Sequence, residues 1–220
     1  MKRRTLPVAA ALAATAALLL TACGGGSDGE ESKENDKIAG ADTGGGAPAS
    51  ATPSDTAAVA DGRPKIELPS DLTYTFEWPK TGNKDADAVL ADSEQFIKAV
   101  DMAISEQKPL HEAYRFYSEG TAAAGSQQFI QEFVNYKDRI TGAKRYYNPK
   151  VKINQDGTAG FVYCEDQNKA YNKSLKTGKS EVTPQSKDNY VLYNSLLRVN
   201  KQGVWITEKL TSQRRSAVCQ

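Results

Sequence analysis

Apolar residues follow four different spacings along this chain of 220 residues. Leu6 to Leu20 is an almost unbroken run of Ala, Leu and Val, interrupted by Pro7 and Thr15. Residues 24–64 then hold Gly, Ser, Ala, Asp, Glu, Thr and Pro, with Ile38 and Val59 nearly the only large aliphatics. Beyond Ile66 the apolar positions alternate at Leu72, Tyr74, Phe76 and Trp78, which predicts an opening strand or extended arm ending at Pro79. Thr81-Gly82-Asn83 reads as a turn and Asp85 as an N-cap. The spacing then becomes helical. Val89, Leu90, Ile97, Val100 and Ile104, with Phe96 and Ala103 beside them, predict an amphipathic helix from Asp85 to about Gln107.

Pro109 suits the first position of a second helix, where its missing N–H removes no bond, and that helix is expected to run to Ser118 with Gly120 as its stop. Thr121 or Ser126 then caps a third helix carrying Phe129, Ile130, Phe133 and Val134 and ending near Gly142. The period next falls to two. Lys144–Asn154 alternates, Gln155-Asp156-Gly157 supplies the favoured Asp-Gly hairpin turn, and Thr158–Asp166 is the partner strand. Residues 168–187 are polar, with Lys176-Thr177-Gly178-Lys179 as a second hairpin tip. Asn189–Asn200 and Val204–Thr211 are the last strands, joined across Lys201-Gln202-Gly203.

The first apolar run gives the chain an address. Fifteen residues of helix rise about 22 Å, short of the roughly 30 Å hydrocarbon core, so with Lys2-Arg3-Arg4 in front it fits a removable signal peptide over residues 1–22. Leu20-Thr21-Ala22-Cys23 closes the run and resembles the lipobox of bacterial lipoproteins. That resemblance implies a diacylglyceryl group on the Cys23 sulfur and cleavage between Ala22 and Cys23. The alternative is an ordinary signal peptide cut nearby, with Cys23 a stray thiol. Each buried methylene contributes about 0.8 kcal/mol, so a two-chain anchor holds where one chain binds only reversibly. Arg3-Arg4-Thr5-Leu6 leaves general and twin-arginine export both open. No Asp follows Cys23. With the Ala, Gly and Asp content, this points to the extracytoplasmic face of a cell membrane in a high-GC bacterium.

Residues 23–64 cannot bury enough apolar surface to offset chain entropy and read as a disordered tether, with a root-mean-square span of about 35 Å. From residue 65 to 220 the sequence holds 22 bases and 19 acids. That excess is too mild for a nucleic-acid footprint. The lysines at 169, 173, 176, 179 and 187 form a basic loop, read as a solvated hairpin. The alternative is a contact for anionic wall polymer or lipid headgroups.

Three helices followed by an antiparallel meander is an α+β order, with helices covering one face of a curved sheet. Over residues 85–213 this order, the length and the final pair of strands resemble the nuclear-transport-factor-two-like family, which includes ketosteroid isomerases and polyketide cyclases. The resemblance implies a cone-like domain with a pocket between sheet and helices. The stretches TFEWPKTG, RYYNPKV and FVYCEDQ are similar to those of actinobacterial secreted lipoproteins.

With Cys23 lipidated, Cys164 and Cys219 remain as an even pair in an oxidising compartment. A structural disulfide between them is expected to stabilise by roughly 4 kcal/mol on the chain-entropy model. A redox-active pair lacks the Cys-x-x-Cys spacing. His111 is the sole histidine, so neither a metal site nor a histidine-based triad is expected; an exposed position near a helix start is. Isomerases of the resembled family need a carboxylate base beside an oxyanion hole. Asp101 and Glu165 are the candidate acids, and Tyr114, Tyr117, Tyr146, Tyr163 and Tyr193 the candidate partners. No spacing carries a catalytic role over to any of them. A solvated helix position explains Asp101 equally well, and a polar strand end explains Glu165. No cofactor is implied. The leading expectation is a non-catalytic lipoprotein that binds a small ligand or an extracytoplasmic partner. An isomerase- or cyclase-like enzyme and a structural accessory of a membrane complex are the alternatives.

Overall fold

Residues 62–220 are described by the computed structural model; the signal segment, the Ala22–Cys23 junction and the tether through residue 61 lie outside the described residues. The order is β1 (Leu72–Phe76), α1 (Lys84–Ser105), α2 (Glu112–Phe116), α3 (Gly120–Tyr136), β2 (Asp138–Ile153), β3 (Thr158–Ser174), β4 (Ser180–Glu181), β5 (Tyr190–Val199) and β6 (Trp205–Arg214). Helices pack on an open, largely antiparallel sheet of order β1-β2-β3-β5-β6, with β4 paired to β3. The expected all-antiparallel sheet needs one correction. β1 runs parallel to β2, because the chain between them passes through the helices, and such a crossover permits a parallel return.

The helix boundaries also differ from expectation, each for a local reason. Asn83 rather than Asp85 caps α1: its Oδ1 accepts from the Asp85 and Ala86 amides, both at 3.0 Å. α2 is a single short turn and begins after Pro109, with His111 Nδ1 accepting from the Ala113 amide at 3.0 Å. Gly120 opens α3 instead of stopping its predecessor. At φ +58° it packs where an added Cβ would lie 3.1 Å from the Glu208 carbonyl oxygen. α3 ends at Lys137, in the left-handed conformation with its amide donating to the Phe133 and Val134 carbonyls. Residues 138–142, expected as helix, are therefore strand. Gly142 (φ +97°) admits the close approach of β3 there, since a Cβ would fall 2.1 Å from the Lys169 carbonyl oxygen. Paired with this longer β2, β3 continues past Asp166 to Ser174 through residues whose polarity conceals the strand.

Two bulges set which side chains face the helices. Tyr147 pairs with Cys164 and Lys150 with Val162, so β2 carries one residue more than β3 between those points; Asn148, with φ +52°, lies in the excess. One extra residue exchanges the two faces of a strand. Tyr146 packs inward before the bulge, and Val151 and Ile153 pack inward after it. The second bulge lies opposite Lys144, where Ala143 pairs with Lys169 and Arg145 with Asp166.

Two apolar clusters join helices to sheet. One gathers Phe96, Met102, Ile104, Tyr114, Ile130 and Ile206; the other gathers Val89, Leu90, Phe161, Tyr163, Leu197 and Trp205. The leading arm is fastened at Arg63, whose guanidinium pairs with buried Asp92 on α1. The other Asp92 oxygen accepts the Trp205 amide at 2.8 Å.

Candidate functional site

Cross-strand pairing places one polar group beside another on the inner face of the sheet. Tyr74 of β1 lies opposite Lys144 of β2, Tyr146 opposite Glu165 of β3, and Tyr163 opposite Tyr193 of β5. Side chains two apart on a strand share a face, so Lys144 and Tyr146 point the same way, as do Tyr163 and Glu165. α1 lies across this face and adds Asp101.

Asp101, Lys144 and Glu165 are exposed by only 2%, 7% and 1%. Lys144 Nζ lies 2.9 Å from Asp101 Oδ2 and 3.2 Å from Glu165 Oε1, so one cation bridges two acids. The Tyr74 hydroxyl donates to Asp101 Oδ2 at 2.8 Å. Glu165 is saturated: Tyr146 donates to Oε1 at 2.8 Å, while Gln167 and Tyr193 donate to Oε2 at 2.7 and 2.9 Å. Asp101 is not. Its Oδ1 accepts no hydrogen bond from any described residue.

Burial pushes the Glu165 carboxyl up, but the Lys144 charge and the three donors outweigh it and hold the group below its ordinary range. Desolvation works equally against the Lys144 ammonium, and the two carboxylates outweigh that too, raising it above the usual lysine value. Burial and the nearby carboxylates keep the Tyr74, Tyr146 and Tyr193 hydroxyls protonated far into the alkaline range. By formal charge the cluster sets two acids against one ammonium, surrounded by hydroxyl donors.

A cavity of about 400 Å³ opens above this floor. Its walls include Phe96, Ile97 and Val100 of α1, Ile140 of β2, and Val191 and Leu210 of the last strands. Thr121, Gly125 and Phe129 of α3 face Ser212 and Arg214 of β6 across an exposed mouth. At its start α3 is fastened to β6, where the Glu119 amide donates to the Thr207 carbonyl at 3.0 Å and the Thr121 hydroxyl to the Glu208 carbonyl at 3.3 Å.

The structure thus overturns the solvated readings of Asp101 and Glu165: Asp101 lines one cavity with Tyr146, Tyr163 and Tyr193, and Glu165 is buried behind them, bonded to Tyr146 and Tyr193. Tyr114 and Tyr117 are buried elsewhere; the Tyr114 hydroxyl donates to the Pro109 carbonyl at 2.6 Å. His111 is largely enclosed by its capping role rather than exposed, and it stands 3.3 Å from Glu106. Lys173 of the basic loop donates to Asp71 at 2.8 Å, while the lysines at 169, 176, 179 and 187 are exposed. Cys164 and Cys219 are bonded to each other with Cα atoms 5.5 Å apart, buried against Tyr147, Tyr190 and Leu192 on the outer face. Sequence reasoning missed Lys144, Tyr74 and Gln167 as site residues. The alternation of Lys144 with Tyr146 is the available signal for the first.

No family model matches the chain, and no curated protein resembles it in sequence. Among solved structures it is similar to a ketosteroid isomerase-like protein from Erwinia carotovora atroseptica, with TM-score 0.42 and 13% identity over 61% of this chain and 98% of that one. Aln2 from a Streptomyces species gives TM-score 0.42 and 11% identity over 63% and 97%. The intermembrane space region of the chloroplast protein ARC6 gives 0.39 and 12% over 60% and 98%. At these scores the likeness is one of gross element order, and the site is read from its own geometry.

Proposed function

We propose that this is a lipid-anchored protein of the extracytoplasmic face of a bacterial membrane. It is tethered through Cys23, and its cone-like domain binds a small ligand without turning it over. The carrying observation is the cluster beneath the cavity, where Lys144 bridges two buried carboxyl groups and Glu165 has both oxygens engaged. A general base needs a pKa near the working pH and a free lone pair toward its substrate. Glu165 is held in the opposite direction. What remains is an apolar chamber with a fixed polar floor, the usual form of a ligand site.

Non-denaturing mass spectrometry of the mature chain, exported by its native host and purified without reductant, tests this. A species heavier than the oxidised chain that loses a discrete small molecule on activation supports the reading. A bare chain that co-purifies with another protein favours the structural accessory. Replacing Cys23 with Ala should release the protein into the medium and abolish fatty-acid labelling; retained labelling overturns the anchor.

One observation favours the enzyme alternative: Asp101, which lines the cavity, accepts from the Tyr74 hydroxyl behind it at 2.8 Å, a carboxylate and a tyrosine together. Catalysis by that pair predicts that any bound small molecule leaves the protein chemically altered. Recovery of the same molecule after prolonged incubation rules it out.

A further inference from the structure

Two buried carboxyl groups share one cation beneath the cavity, a formal excess of one negative charge, and one carboxyl oxygen is unused. Lys144 bridges Asp101 at 2.9 Å and Glu165 at 3.2 Å; Glu165 is further engaged by Tyr146, Gln167 and Tyr193, whereas Oδ1 of Asp101 is unpartnered among the described residues. Asp101 lines the cavity and is only 2% exposed, so bulk water does little to stabilise that charge. The other cation on the cavity wall, Arg214, is an exposed mouth residue whose guanidinium donates to the Asp188 carbonyl at 3.3 Å. Aromatic rings complete the surroundings. Phe96, Tyr146, Tyr163 and Tyr193 line the chamber and Phe129 stands at its mouth. Rings of this kind attract a cation over their faces, and a desolvated carboxylate pairs with one through a charge-assisted hydrogen bond.

We propose that the cavity takes an amphipathic amine, its ammonium donating to Asp101 Oδ1 and its apolar body lying against the aromatic and aliphatic walls. The inference rests on the ligand-binding reading above and specifies the headgroup. An anionic head would meet the Asp101 carboxylate in the cavity wall, with the Glu165 carboxylate buried behind it and one lysine shared between the two. A neutral alcohol would fill the acceptor but leave the charge uncompensated.

Isothermal titration of the mature chain carrying Cys23→Ser, with three probes of one skeleton, separates these cases: naphthylmethylamine, naphthylmethanol and naphthoate. The amine is expected to bind at least roughly tenfold more tightly than either of the others, the factor a charge-assisted bond adds over a neutral one. Asp101→Asn should lower amine affinity to that of the alcohol and leave the alcohol unchanged. Gly125→Trp supplies a control outside the polar cluster. Gly125 is an exposed α3 residue at the mouth, with no atom within 4 Å of an added Cβ, so a large ring there closes the entrance and weakens all three probes. If Asp101→Asn does not fold, the ranking on the unsubstituted cavity and its loss in Gly125→Trp decide. Equal or tighter binding of the alcohol or the acid overturns the amine and leaves the ligand cavity standing. Failure of all three to bind also overturns it, and the mass-spectrometric test then decides the cavity reading independently.

Discussion

On the inner face of β3, Glu165 is held by Lys144, Tyr146, Tyr193 and Gln167; one residue away on the outer face, Cys164 is bonded to Cys219. Both residues are buried to the same degree. The outer contact is covalent, and the Tyr147 hydroxyl donates to the Cys219 carbonyl to hold the C-terminal turn against the sheet. It answers to redox conditions and is indifferent to charge. The inner contact is electrostatic and answers to pH and to the identity of each partner. A strand of period two lets neighbouring residues serve these separate ends without interference.

The sharpest way to break the inner face is Lys144→Met. It leaves Asp101 and Glu165 buried without their cation and is expected to cost about 3–5 kcal/mol in denaturant unfolding. A loss under 1 kcal/mol would mean that water already solvates the cluster. The matching change outside, Cys164→Ala with Cys219→Ala, opens a loop of 55 residues and should cost about 2–4 kcal/mol. It should also leave probe binding in the cavity intact; a cavity lost along with the disulfide would show that the faces are coupled.

Acid separates them more gently. The folded-state carboxyl of Glu165 is lowered, so its contribution is complete above its ordinary value of 4.5 and is lost as pH falls through the lower folded value. Lys144 has the opposite sign: its folded-state value is raised, so its contribution is complete below 10.5 and fails only at more alkaline pH. Glu165→Gln should therefore lower the melting temperature near neutrality yet show a shallower further fall as pH drops below 4.5 than the unsubstituted protein. The disulfide variant should keep the unsubstituted slope. The smallest effect is Gly125→Ala at the cavity mouth, which adds a side chain to an exposed helix interior and should stabilise by about 0.5–1 kcal/mol. Destabilisation there would mean that α3 moves against β6.

Element order is legible in the sequence because it depends on local period: the long helix, the Asp156-Gly157 hairpin and the closing strands stand nearly where spacing puts them. The site is less legible because its members are brought together by register. Counting back from the hairpin without a bulge pairs Tyr146 with Asp166, which would turn Arg145 and Tyr147 inward. The extra residue at Asn148 pairs Tyr146 with Glu165 instead. A left-handed asparagine before Pro149 is the only local trace of that shift. Asp101 is a candidate in the sequence, but its burial is not legible there: an acid on an amphipathic helix reads equally as a solvated position, and its partner Lys144 is 43 residues away. The disulfide, by contrast, is legible once the lipobox resemblance sets Cys23 apart and leaves Cys164 and Cys219 as the remaining pair.

The fastening of Arg63 to Asp92 also fixes a load path. Tension arriving through the leading segment of the chain enters at the side of α1 and at the Trp205 end of β6. Arg214, at the cavity mouth, is the opposite end of that strand, about 30 Å away at 3.3 Å per residue. Force entering at Arg63 reaches the side of α1 and the head of β6, and it also reaches the start of α3, which is fastened to that same end of the strand at Thr207.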